Sequence, residues 1–295
     1  MSEQQDHTPI SISDLLTAFK NFDGSYRRHE VDAAVEMQEE ITPHLLAILE
    51  DILRAPEQYS EDTNRFDHIY ALMLLAHFRE TRAHESLIKI ASLSHNVLFD
   101  MFGEMVTEDF GQMLLETCGG DLALIENLLR NKEADDYARG AAAEALAKAV
   151  VDGTASLELV MTMLIGVFDG WKEEEEFRDC YQFIASRMLA LQPEAVAEKV
   201  REAYENGMID GLYLNDRTIE ESVNFPQIRY EYLQQDILTR EERGVHGRIG
   251  WWACFRENAR VYSGRDDSLK KPAKVKKAKQ LKRKAQKQSR KKNRR

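Results

Sequence analysis

The chain has little cysteine. Its three, Cys118, Cys180 and Cys254, lie more than sixty residues apart, with no CxxC pair and an odd count. That argues against a disulfide framework and for a reducing cytosol. Cys118 ends an apolar segment and Cys180 sits inside one, so both read as small core thiols rather than nucleophiles, and Cys254, flanked by aromatic residues, reads the same way. Long apolar runs are also missing. The longest, Leu157 to Phe168, is interrupted by Glu158, Thr162 and Gly166; it falls short of the roughly 20 apolar residues of a membrane span and reads as a buried helix. The start, Met1-Ser-Glu-Gln-Gln-Asp, lacks the positive region and apolar stretch of a secretory signal. These absences predict a cytoplasmic protein with no membrane span.

Catalytic and metal-binding patterns are absent as well. Position 88, where a second histidine would follow His84-Glu85, is Ile, and His77 and His84 are two turns apart without an adjacent carboxylate set. No metal, no cofactor and no catalytic residue is expected, because no nucleophile, base and orienting group can be assembled. The acid pairs Glu39-Glu40 and Asp135-Asp136 fall on different helix faces. The run Glu173 to Glu176 reads as the solvated first turn of a helix, where negative charge is favoured.

Strand-like alternation is missing too, and what remains is helical. From residue 67 to about 206 the spacing predicts helices in pairs: Asp67 to Phe78 with His84 to Leu93, Thr107 to Thr117 with Asp121 to Leu129, Asp135 to Val150 with Ser156 to Phe168, and Glu174 to Leu191 with Glu194 to Tyr204. Gly119-Gly120-Asp121 and Asp152-Gly153-Thr154 end one helix and start the next, and Pro193 suits a first turn. Further helices are expected at Ser11 to Phe19, His29 to Glu40, Pro43 to Leu53, Asp216 to Val223 and Gln227 to Arg240. Helix pairs repeating every 30 to 45 residues or so are the mark of an α-solenoid, in which each pair buries its apolar face on its neighbour. Phe177, Tyr181, Ile184 and Met188 lie at core spacing.

The segment Asp135-Asp-Tyr-Ala-Arg139-Gly-Ala-Ala-Ala-Glu-Ala145-Leu resembles the first helix of a HEAT-type repeat, and Glu174 to Arg178 echoes it weakly. The alanines at 138, 141, 142, 145 and 149 would let neighbouring helices approach closely. The body as a whole, over most of residues 1 to 262, resembles a bacterial family of uncharacterised helical-repeat domains whose members often end in a SEC-C type zinc tail opened by Gly-Arg-Asn-Asp-Pro-Cys. Here Gly264-Arg265-Asp266-Asp267-Ser268 stands at that place but lysines follow and the zinc cysteines are absent. The resemblance therefore implies no zinc and no known reaction.

Acid is absent from the last 26 residues, which hold fifteen bases: Lys270, Lys271, Lys274, Lys276, Lys277, Lys279, Lys282, Arg283, Lys284, Lys287, Arg290, Lys291, Lys292, Arg294 and Arg295. Of 40 basic residues, 25 are then left for residues 1 to 269, against all 51 acids, a formal charge of −26. A Lys/Arg-rich segment neutralises phosphates and releases counterions, so RNA, a ribosome or DNA is its natural partner. The tail has no aromatic residue for base stacking and only Val275, Leu281 and three alanines as apolar material, which argues against sequence-specific reading and deep membrane insertion. The alternatives are docking on its own acidic body or an acidic protein, solubility, and targeting.

The glycine-spaced Gly244-x-x-Gly247-x-x-Gly250, with Arg243, His246 and Arg248 and then Trp251-Trp252, fits neither a P-loop nor a dinucleotide fingerprint. It is expected to fold back as a cover for the stack. The whole reads as an all-α protein: an α-solenoid of HEAT-like antiparallel helix pairs with a disordered basic C-terminal tail. Residues 1–60 are assigned to N-terminal capping helices, 61–206 to the helix-pair repeats, 207–262 to a C-terminal helical cap and 263–295 to the tail. The expected role is a non-enzymatic adaptor with an unknown protein partner on the solenoid surface; the alternative is a protein-interaction scaffold whose tail serves only solubility or self-docking.

Overall fold

A computed structural model describes residues 10–174 and 177–255 of the chain. Among these residues there are seventeen α-helices, three 3-10 turns and no β-strand. The helices are α1 (Ile12–Lys20), α2 (Arg28–Glu36), α3 (Gln38–Arg54), α4 (Pro56–Glu61), α5 (Asp67–His77), α6 (His84–Ala91), α7 (His95–Phe102), α8 (Met105–Glu108) and α9 (Phe110–Thr117). They continue with α10 (Ala123–Arg130), α11 (Asp136–Val151), α12 (Leu157–Phe168), α13 (Asp179–Leu191), α14 (Pro193–Glu205), α15 (Asp216–Asn224), α16 (Pro226–Arg243) and α17 (His246–Ile249). The all-α expectation holds. The basic residues of the tail and the zinc-tail lead-in at 264–268 lie outside the described residues.

Local chemistry fixes the helix starts. Ser11 and Asn215 each form a reciprocal capping box with the residue three positions on, Asp135 accepts the Tyr137 N–H, and Pro56, Pro193 and Pro226 occupy first turns where their missing N–H has no intrahelical partner to lose. Several boundaries differ from the sequence reading. The segment His29 to Glu40 breaks at Met37, and Pro43 lies inside α3 instead of opening a helix. Thr107 to Thr117 is divided at Asp109 between α8 and α9. The first helix of the last pair starts at Asp179, five residues later than expected, because Glu174 and Arg178 are extended. The acidic run is thus not a first helical turn: Glu173 ends a 3-10 turn, and Glu175 and Glu176 lie outside the described residues. Short helices α4, α7 and α17 carry too few periods to be read from spacing.

Helices α3, α5, α9, α11 and α13 lie side by side in that order, and α6, α10 and α12 lie against them. The central members are nearly enclosed: every residue from Asp67 to Ala76 is buried, as are all eight of α9. Small residues set the spacing. A Cβ on Gly111 would stand 3.0 Å from the Ala141 carbonyl oxygen, and one on Gly140 would stand 2.6 Å from the Phe183 ring. Ala138, Ala141, Ala142, Ala145 and Ala149 are all buried, as are Tyr181, Ile184 and Met188. One apolar core runs from Leu15 to Ile249. Against α11 and α13 lies α16, a long polar helix with Leu233 as its one buried residue.

Candidate functional site

A chain of linked charges lies where the C-terminal segment packs against α9, α11 and α13. On α11, Gly140, Glu144 and Lys148 are spaced by four and share one face. On α16 steps of four, three and four align Arg229, Leu233, Asp236 and Arg240. Lys148 is fully buried, with Nζ 2.8 Å from Glu144 and 2.5 Å from Asp236. Glu144 also receives Arg187 of α13 at 2.8 Å. Asp236 also receives Arg240 at 3.1 Å, and Arg240 pairs with buried Asp109 and donates to the Glu108 carbonyl at 2.5 Å. The result is a chain of alternating sign: Arg187, Glu144, Lys148, Asp236, Arg240, Asp109.

The contacts continue toward the N-terminus. Arg248 donates to Glu116 of α9 at 2.6 Å, and both side chains are nearly buried. The His246 ring bridges Tyr26 (2.9 Å) and Asp32 (2.8 Å). Trp252 and Phe255 pack on Phe66, and Phe255 also reaches Phe22 and Tyr26. Gly250 is needed there, since a Cβ would stand 2.7 Å from the His246 carbonyl and 3.0 Å from the Tyr26 ring. Gly244, at φ +58°, ends α16 and turns the chain into this segment. Trp251 is half-exposed.

Burial and pairing set opposite directions for the acids. Burial works against ionised Glu144, but Arg187 and Lys148 outweigh it and hold its carboxyl below the usual range; Asp236 is lowered by Lys148 and Arg240 in the same way. At Asp109, burial wins over Arg240 and pushes the carboxyl up. Burial raises all three thiols, Cys180 to about 12, so they remain protonated; Cys118 and Cys180 lie in the core and Cys254 is half-buried. No group of three or more His, Cys, Asp or Glu able to hold a metal ion occurs among the described residues.

Asp135 and Asp136 turn out to be structural joints. Asp135 accepts the Tyr137 N–H and pairs with His95 at 2.7 Å, while Asp136 receives Arg178 at 2.8 Å and the Asp179 N–H at 2.9 Å. Arg139 is buried, with Nε donating to the Leu129 carbonyl that ends α10. No helix is long and apolar enough to cross a membrane among the described residues.

Sequence reasoning did not find Lys148 and its partners. The available signal was Glu144 and Lys148, four apart within an alanine-rich stretch whose small residues pack closely, where a buried charge must meet a counter-charge.

Two relatives carry the comparison further. An uncharacterized protein of Chlamydia trachomatis is 28% identical over 211 residues, covering 72% of this chain and 83% of the relative. An uncharacterized protein of Chlamydia muridarum is 27% identical over 212 residues, covering 72% and 84%. No solved structure matches. Residues 10–256, which include the whole charge chain and the turn at Gly244, match the family described as "Protein of unknown function (DUF1186)", and the chain belongs to that family.

Proposed function

We propose that the protein is a binding adaptor: a HEAT-like α-solenoid body that holds a protein partner, with a basic tail that keeps the complex on RNA, a ribosome or DNA in the cytoplasm. The observation that carries this reading is the separation of charge. Residues 1 to 269 are formally −26, while residues 270 to 295 hold fifteen bases and no acid. The body has almost no cation to spare for a polyanion. Of the 22 lysines and arginines among the described residues, only Lys20, Arg28, Arg229 and Arg243 lack an ion-pair partner. Phosphate attraction therefore falls to the tail. The side-by-side order of α5, α9, α11 and α13, with α6, α10 and α12 against them, supports the solenoid reading. Exposed Leu212, Phe225 and Tyr232 at the α15–α16 edge offer apolar area for a partner.

The alternative, a scaffold whose tail docks on its own body, draws on the same acidity. Retention of full-length protein and of a 1 to 268 truncation on mixed RNA and duplex DNA separates the two. If the tail neutralises about six to ten phosphates, affinity falls roughly 10³- to 10⁵-fold between about 50 and 200 mM salt and disappears on truncation. Absence of tail-dependent retention at either salt discards the nucleic-acid reading. A truncated body that unfolds earlier than the full chain, without nucleic acid, favours self-docking.

A further inference from the structure

The charge chain between α11, α13 and α16 closes on itself except at one end. Arg187, Lys148 and Arg240 are each matched by Glu144, Asp236 and Asp109. Arg229 is not. It is half-buried, its one hydrogen bond is a 3.5 Å contact to the Ser186 hydroxyl, and no carboxylate among the described residues lies within ion-pair distance. Its neighbour Arg187 carries a second guanidinium, whose Nε–H is buried with no acceptor. Both arginines line a solvent-open cavity of about 410 Å³, together with Ser186, Tyr232, Leu233 and Ala190. A cation half-withdrawn from water beside a like charge is disfavoured unless an anion joins it, and burial depresses the Arg229 pKa, with Arg187 adding to it and Tyr213 and Glu221 opposing.

We infer that this cavity is a binding site for a small monocarboxylate with an apolar substituent, its carboxylate seated between Arg229, Arg187 and Ser186 and its apolar part against Tyr232, Leu233 and Ala190. The class follows from the charge balance. Arg229, Arg187, Lys148 and Arg240 exceed Glu144, Asp236 and Asp109 by one positive charge; Glu144 and Asp236 also line the cavity, and Glu144 already occupies one side of Arg187. Glu108, on the same cavity wall at the Arg240 end, adds a further acid whose carboxyl is pushed up by burial and by Asp109 and Glu104. A phosphate dianion would meet that acid wall with two charges; a carboxylate brings one. A planar guanidinium fork suits its two oxygens. Because Arg187 belongs to α13 and Arg229 to α16, the ligand would also fasten α16 to the stack.

The test uses full-length protein with benzoate, acetate or inorganic phosphate, reading the unfolding midpoint and amide exchange along α16. Benzoate is expected to raise the midpoint, more than acetate does, and to slow exchange in α16. Arg229→Met is expected to fold with an unchanged or higher midpoint without ligand and to weaken benzoate roughly tenfold or more, the loss of one charge-assisted contact. Arg229→Lys, which keeps the charge and loses the fork, should fall between and serves if Arg229→Met does not fold. No response to any of the three anions overturns the site. So does benzoate binding that is indifferent to both variants. Phosphate binding more tightly than benzoate overturns the assigned ligand class.

Discussion

Arg240, near the end of α16, pairs with Asp109 at the break between α8 and α9, joining positions 131 residues apart. Asp109 is 4% exposed and Arg240 also holds the Glu108 carbonyl. Removing the arginine leaves an acid that burial already pushes up, with no cation in its place. Arg240→Ala should therefore cost about 3 kcal/mol, the usual penalty for orphaning one member of a buried pair. Arg240→Met combined with Asp109→Leu should cost less than the single change, because no charge is left unmatched. Urea unfolding with an unchanged m-value reads both. A single variant as stable as the unmodified protein would deny the pair its place.

Glycine inside a helix ordinarily weakens it, and replacement by alanine ordinarily adds up to about 1 kcal/mol. At Gly140 the sign should invert. A Cβ there would stand 2.6 Å from the Phe183 ring of α13, so α11 and α13 would have to separate or the ring to move. Gly140→Ala is expected to destabilise by roughly 1 to 3 kcal/mol, the range for overpacking, and Phe183→Leu in the same chain should recover part of it. A thermal melt of the three variants checks the order.

His84 should make the protein sensitive to mild acid. The Thr117 hydroxyl donates to the Met113 carbonyl, so it accepts from His84 Nδ1–H at 2.9 Å, leaving Nε2 bare and buried without a partner. Burial holds the His84 pKa below its ordinary 6.5, with Asp121 opposing; at His77 burial and Arg248 lower the pKa against Glu116. Below pH 6.5 the unfolded chain takes up a proton that the folded chain refuses. Stability therefore rises with pH through that window and is lost as pH falls below it. The unfolding midpoint should drop between about pH 7 and pH 5.5, and His84→Gln should flatten the drop. An unchanged slope in that variant would remove His84 from the account.

The helical segments were legible because their apolar spacing and caps are local. Asp135, the Gly119-Gly120 turn and Pro193 mark ends that the structure places within a few residues. What was not legible lies in α16. Its inward face reads Arg229, Leu233, Asp236, Arg240, which by hydropathy is a solvated face, and its counter-charges are Lys148 on α11 and Asp109 at the break between α8 and α9. Such pairing is set by tertiary placement. The local hint is Lys148 with Glu144 four residues before it in an alanine-rich helix, a charged pair on a face that small residues bring against its neighbours.

That composition has a dynamic consequence. Over its 18 residues α16 buries only Leu233, while α13 buries nine residues in 13. Apolar burial is what makes a helix open only with the whole molecule, so α16 should open on its own at a lower free energy. Native-state hydrogen exchange should find its amides at least about tenfold less protected than those of α13, a difference of about 1.4 kcal/mol. Its attachment rests on Lys148, Arg240 and Asp109, so Arg240→Ala should widen the gap selectively, leaving α5 and α9 unchanged. Added salt should widen it only slightly, since Lys148 and Asp109 are enclosed and screened less than a surface pair, although Asp236 is partly exposed. Equal protection of α16 and α13 would mean that Leu233 and the ion pairs hold the helix as firmly as a full apolar face.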